Sequence, residues 1–180
     1  MMKRRFNVEH TTEESLMADY LLTLLHDARA TTLRYVQGIT QEELDWQPYA
    51  GWNTVGALLA HIIACDYYFT AYFIERREFT EQENKQWLPA LDLGEYVEQL
   101  KGKAPEYYFA ELEKSHGVIT AAVRELSNGQ MLERRYDTYD KEEGSDLAWT
   151  LYHKAEDEIH HRGQISIVRK LYKQTGGKIA

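Results

Sequence analysis

The 180-residue chain is poor in cysteine and proline: Cys65 stands alone, and Pro48, Pro89 and Pro105 are the three prolines. A lone thiol excludes an internal disulfide framework and suits a reducing compartment, so a cytoplasmic location is expected. Basic residues are also scarce. Against 29 Asp and Glu stand 21 Lys and Arg, giving a net charge of −8. Phosphate binding needs a basic footprint, so nucleic acid is not an expected partner. The short basic runs at Lys3–Arg5 and Glu133–Arg135 read as solvated charge. No run approaches the ~18 consecutive apolar residues of a membrane span, so no membrane is expected. Val55–Ile74 comes nearest, but His61, Asp66 and several tyrosines interrupt it. The basic start MMKRRFNVEHTTEES has no apolar stretch after it, so no signal peptide is expected. Repeats and low-complexity segments are absent from the sequence.

What remains is long amphipathic stretches with prolines and glycines between them, the punctuation of a helical protein. The length suits one domain over residues 1–180, with 1–10 a loosely ordered segment. The first helix is expected from about Glu13 to Val36, with Thr11 and Glu14 at capping-box spacing. Met17, Leu21, Leu24, Leu25 and Ala28 form its apolar stripe. The second starts after Asn53 or Thr54 and continues to about Arg76. A less regular region, Arg77 to Lys103, holds a short candidate helix at Gly94–Leu100. The third long helix opens on Pro105 and stops at Ser127–Gly129. The segment from Met131 to Gly144 has room for a short extended piece. The fourth helix starts after a Ser145 or Asp146 cap and runs to about Gln174. Four helices, each with one apolar face, imply an all-α four-helix bundle.

Polar residues in core register then become informative. In LYHKAEDEIHHRGQ, His153, Asp157 and His161 recur every four residues, and Gln164 roughly continues the row. An Asp and a His four apart can converge on one metal ion. His160 lies three from Asp157, and spacing does not choose between it and His161. His61 sits in GALLAHIIAC, either satisfied within the core or serving a site. Cys65, one turn on, has the spacing to face the same way as His61, and reads most simply as a small buried apolar residue. His116 reads as a hydrogen-bonded core histidine. His10 and His26 read as solvated, and the Tyr67–Tyr68 and Tyr107–Tyr108 pairs as packing and partner surface. The His/Asp row could equally be a solvated face.

Two segments carry a resemblance to the DinB/YfiT-like superfamily: WNTVGALLAHI at Trp52–Ile62 and LYHKAEDEIHHRGQI at Leu151–Ile165. The second is similar to the family pattern H-x-x-x-H-E-x-x-H-H-x-G-Q. The resemblance implies a four-helix bundle that binds a divalent ion through three histidines. Carried over by position, the ligands are His61, Asp157 and His161, with Asp157 where the family usually has His. A carboxylate remains a legitimate ligand for zinc, nickel, manganese or iron. It also permits a degenerate site, in which Asp157 bonds a histidine and holds no ion. His153, His160 and Gln164 are then candidates to orient ligands or substrate. Glu158 follows Asp157 as the Glu of HExxH follows its His, but points about 100° away on an ideal helix. A peptidase of that kind is disfavoured, since the first His is missing.

The implied activity is metal-dependent thiol transfer or hydrolysis of a small molecule, with a low-molecular-weight thiol as candidate co-substrate. The alternative is a non-catalytic stress-response or binding protein. A homodimer is the oligomer the resemblance implies.

Overall fold

The computed structural model describes residues 2–4, 7–8, 11–135 and 142–178. The rest of the 1–10 segment, His10 included, lies outside the described residues. Four long helices form the body: α1 (Leu16–Tyr35), α3 (Val55–Tyr68), α5 (Pro105–Arg124) and α7 (Leu147–Thr175). Shorter helices α2 (Gln41–Asp45), α4 (Glu81–Asp92) and α6 (Asn128–Met131) join them. Arg134–Arg135 pairs antiparallel with Ser145–Asp146, which is the expected extended piece.

The caps explain the boundaries. Thr54 accepts from the Ala57 amide and starts α3, and Asp146 accepts from Trp149 and starts α7. Gly176 closes α7 at φ 63°, in the left-handed conformation that favours glycine. At the first helix the capping box is Thr12 with Ser15, not Thr11 with Glu14. Thr11 instead binds the buried Asp19 carboxylate. Ser127 does not end α5 but caps α6.

Cross-helix contacts give the topology. Arg29 meets Glu158 and Tyr35 meets Arg169, so α1 and α7 run parallel. Gly56 faces Tyr108 and Asp66 faces Ser115, so α3 and α5 also run parallel. Asp66 meets Lys154 while His61 meets Asp157, so α3 opposes α7. The order is up-down-down-up. Two parallel neighbours need a connection that returns the length of the bundle. Residues 77–104 are that return; the short helix expected at Gly94–Leu100 is present as a 3-10 helix, and α4 corrects the irregular stretch expected before it. A capping box of Thr80 and Glu83 launches α4, and Pro89 sits within it.

α3 continues through one stretch of π-helix, Phe69–Ile74. By length and composition Val55–Ile74 could cross a membrane, yet 72% of its most apolar window is buried inside the bundle. Its neighbours come very close. A Cβ on Gly56 would stand 2.8 Å from Tyr108 Oη and 3.2 Å from the Leu44 carbonyl, and Tyr108 is held by its bond to the Leu100 carbonyl. Gly56→Ala is therefore expected to destabilise by about 1–2 kcal/mol despite better helix propensity, read as a lower urea midpoint at unchanged m-value.

The core is split. One apolar cluster, with Leu44, Leu58, Ile62 and Val168, fills one half of the bundle. A second, with Leu21, Leu25, Ile119 and Leu151, fills the other. Between them lies a layer of buried charge. Arg29 Nη2 donates to Asp66 at 2.7 Å, and Arg29 Nε to Glu158 at 3.0 Å. Lys154 Nζ reaches Asp66 at 2.6 Å and Glu158 at 3.0 Å. Ser115 donates to Asp66, and Arg29 also donates to the Leu112 carbonyl. Two cations and two anions cancel, and each of the four long helices contributes. Burial raises both carboxyls, but Arg29 and Lys154 outweigh it and hold Asp66 and Glu158 below their ordinary values.

His116 borders this layer. It is buried as expected, but its Nε2 has no hydrogen-bond partner among the described residues, which corrects the expected satisfied histidine. His26 tilts against it at 5.8 Å and binds the Lys3 carbonyl, so its ring is not simply solvated. Burial, helped by the Arg29 charge, pushes His116 down to about 4 from 6.5. The unfolded chain therefore takes up a proton near pH 6.5 that the fold refuses until about pH 4. The His116 contribution is full above pH 6.5 and falls away between those values, costing roughly 2–3 kcal/mol by pH 4.5. Urea unfolding at pH 7 and 4.5 tests this: His116→Leu should lose that much less than wild type across the same interval.

Candidate metal centre

α3 and α7 bring a second polar cluster together one turn from the ionic layer. His61 and Cys65 share a face of α3 at i, i+4, and Asp157 and His161 do the same on α7. His161 Nε2 lies 3.1 Å from Asp157 Oδ1, and His61 Nε2 lies 3.6 Å from Asp157 Oδ2. The two imidazoles meet edge to face at 4.6 Å. Cys65 Sγ is 3.4 Å from His61 Nε2. Ligand atoms of His61, Cys65 and Asp157 all lie within 4.8 Å of one another, a group that could hold a metal ion.

The outer contacts set the tautomers. His61 Nδ1 is 2.9 Å from the Ala90 carbonyl, which can only accept, so Nδ1 carries the proton. His161 Nδ1 donates to Gln164 Oε1 at 2.9 Å. In the neutral rings both Nε2 atoms are then lone-pair acceptors, and both face a carboxylate. Asp157 Oδ2 is buried and has no hydrogen-bond partner among the described residues. Acceptors facing acceptors need a cation between them, either a proton or a metal ion. An imidazole fixed through its other nitrogen by a carbonyl is the usual support of a metal ligand.

The electrostatics agree. Burial raises Asp157, but the facing imidazoles of His161 and His61 outweigh it and drive the carboxyl far below its ordinary value. Burial lowers His161, but Asp157 more than offsets it and leaves the imidazole raised. Burial, helped by the Asp157 charge, pushes the Cys65 thiol well up. Cys65 is thus a protonated donor to His61 Nε2 in the absence of an ion. It is buried as expected, but it belongs to the polar cluster rather than to the apolar packing alone.

The remaining candidates divide. Gln164 Nε2 lies 3.0 Å from His160 Nε2, so the amide ties exposed His160 to His161. His153 stacks on Trp149 and its Nδ1 pairs with Glu156. Glu158 faces the ionic layer instead, in keeping with its offset from Asp157: it is 1% exposed and held by Arg29 and Lys154. Arg29 and Lys154 belong to no motif in the sequence. Arg29 sits four residues after Leu25, in the apolar register of α1, and that placement was its available signal.

The fold and this site define an all-α bundle with a possible His/Cys/Asp metal centre between facing helices. The DinB superfamily profile matches residues 24–165, and the chain belongs to that superfamily. No curated protein matches the chain. Among solved structures it is similar to one described as "Crystal structure of the conserved protein of locus from Enterococcus faecalis". That likeness covers 90% of this chain and 98% of the other, with TM-score 0.68 and 14% identity, and it concerns the fold.

Proposed function

We propose that this protein is a divalent-metal-dependent enzyme acting on a small molecule, by thiol transfer or hydrolysis. His61, Asp157 and His161 would hold the ion, and zinc, nickel, manganese and iron all accept this donor set. The carrying observation is the pair of Nε2 lone pairs and the unpartnered Asp157 Oδ2 facing one another. A bound ion would supply Lewis acidity, lowering the pKa of a thiol or water so that a nucleophile forms near neutral pH. The chain's own residues do the rest. The Ala90 carbonyl orients His61, and Gln164 orients His161. His160, exposed and bonded at Nε2 by the Gln164 amide, would serve as the outer proton carrier. His153 would serve the outer edge of the site. A low-molecular-weight thiol is the candidate co-substrate, and a cytoplasmic homodimer is the proposed form.

One observation favours a second reading, a binding protein without turnover. A protonated His161, 3.1 Å from Asp157 Oδ1, pairs with the carboxylate with no metal at all. Elemental analysis of protein purified without an affinity tag separates the two. Wild type is expected to hold about one ion per chain after exposure to zinc, nickel, manganese or ferrous iron, and His61→Ala and Asp157→Ala none. Cys65→Ser is expected to keep its ion, and the cobalt form of wild type to lack a sulfur-to-metal charge-transfer band. An ion-free wild type sinks the enzyme reading. A sulfur band lost in Cys65→Ser would mean a four-ligand site with no open position, which sinks it equally.

A further inference from the structure

Beside the centre, toward the end of the bundle, lies a groove of about 320 Å³ between the start of α3 and the last third of α7. Trp52, Leu58, Ile167 and Val168 form its apolar walls, with Gln164 and Asn53 as its polar edge. Among the described residues no charged one lines it, in a chain that is 28% charged. Trp52 and Ile167 are 43% and 53% exposed, large apolar surfaces left to solvent around a concavity. Tyr49 braces the Trp52 indole at 5.3 Å.

The groove is tied to the centre. Leu58 precedes His61 by three residues, and Gln164 follows His161 by three, so antiparallel α3 and α7 stack the groove one turn from the ligand atoms. That is a step of roughly 4–5 Å. Gln164 belongs to both: it lines the groove and accepts from His161 Nδ1. The helix pair thus carries three successive layers: buried charge, ligand atoms, apolar groove.

We infer that this groove is the specificity subsite of the metal centre and takes an uncharged, apolar group of the substrate, of benzyl or branched-alkyl size. The inference rests on the metal-enzyme reading above. An occupant of that size, one or two bonds from the atom at the metal, spans the one-turn step. A charged group would lose its hydration there without a partner. Asn53 carries no charge to neutralise it, and its Oδ1 is already engaged by the Gly94 amide.

The test uses the full chain loaded with cobalt, whose visible spectrum reports ligands entering the metal's open position. Imidazole and 4-phenylimidazole are titrated into wild type and Ile167→Glu. Ile167 is exposed, so the variant is expected to fold and to bind cobalt as wild type does. Wild type is expected to bind 4-phenylimidazole at least about tenfold more tightly than imidazole, from burial of the phenyl ring. In Ile167→Glu that preference should fall to near unity while imidazole binding stays unchanged. Equal binding of the two ligands by wild type, or a preference that survives in Ile167→Glu, overturns the subsite alone. Absence of cobalt, or of any response to either ligand, overturns the metal-enzyme reading and the subsite with it.

Discussion

Arg29→Met is expected to destabilise the protein by about 3–5 kcal/mol, the largest single effect in the bundle. Arg29 is fully buried and is the cation shared by Asp66 and Glu158. The methionine would leave two buried carboxylates against Lys154 alone, and would also leave the Leu112 carbonyl without its extra donor. Stranding a buried charge costs far more than a lost surface pair, because no water reaches it. At this size, that corresponds to a fall in Tm of roughly 6–20 °C. The double variant Arg29→Met, Glu158→Leu restores one cation to one anion, and it should recover a good part of the loss. Calorimetry of wild type, both single variants and the double closes the cycle. Additive losses would mean that the layer acts as independent contacts and not as a charge-balanced unit.

The same layer marks how far the sequence could be read. Three long-helix starts were legible from local signals: Thr54 and Asp146 each cap within three residues, and Pro105 opens the first turn of α5. α4 was not legible, because Pro89 interrupts its pattern and its placement follows from topology. Parallel α3 and α5 require a return, and nothing local in 77–104 states that they are parallel. Asp157 and His161 were legible as a row on one helix, since i, i+4 spacing fixes their common face. Their junction with His61 is a tertiary fact, supplied by the resemblance before the structure placed the atoms. Cys65 is buried as the sequence implies, but its polar neighbours were not legible, because a buried thiol next to apolar residues looks the same whether or not a carboxylate faces it. Arg29 and Lys154 were missed because each is a lone charge in its own helix, and only the fold supplies their partners.

Asp157→Asn is expected to weaken metal binding by at least about a hundredfold, since it removes a ligand charge and not merely a supporting contact. Asparagine keeps the shape and one acceptor oxygen, so the apo fold should survive the change. The pH behaviour follows with its sign. Asp157 lies far below its ordinary value, so its attraction for a cation persists above pH 3.8 and disappears only as pH falls through its folded value. His161 is raised above 6.5, so its pairing with Asp157 stabilises the apo fold below that pH and is lost as pH rises through the raised value. An incoming ion must displace that proton, so wild-type affinity should climb as pH rises across the raised His161 value, with proton release. In Asp157→Asn the raising charge is gone, and the His161 titration should move down to below its ordinary position, because burial is then opposed by Gln164 alone. Asp157→His, the residue the superfamily resemblance leads one to expect, should restore binding and shift preference from manganese toward zinc and nickel. Isothermal titration of each metal at pH 6, 7 and 8, in two buffers of different ionisation enthalpy, reads affinity and proton release together. Wild-type affinity in Asp157→Asn would show that the carboxylate is not a ligand, and that its pairing with His161 serves only to hold α7 in place.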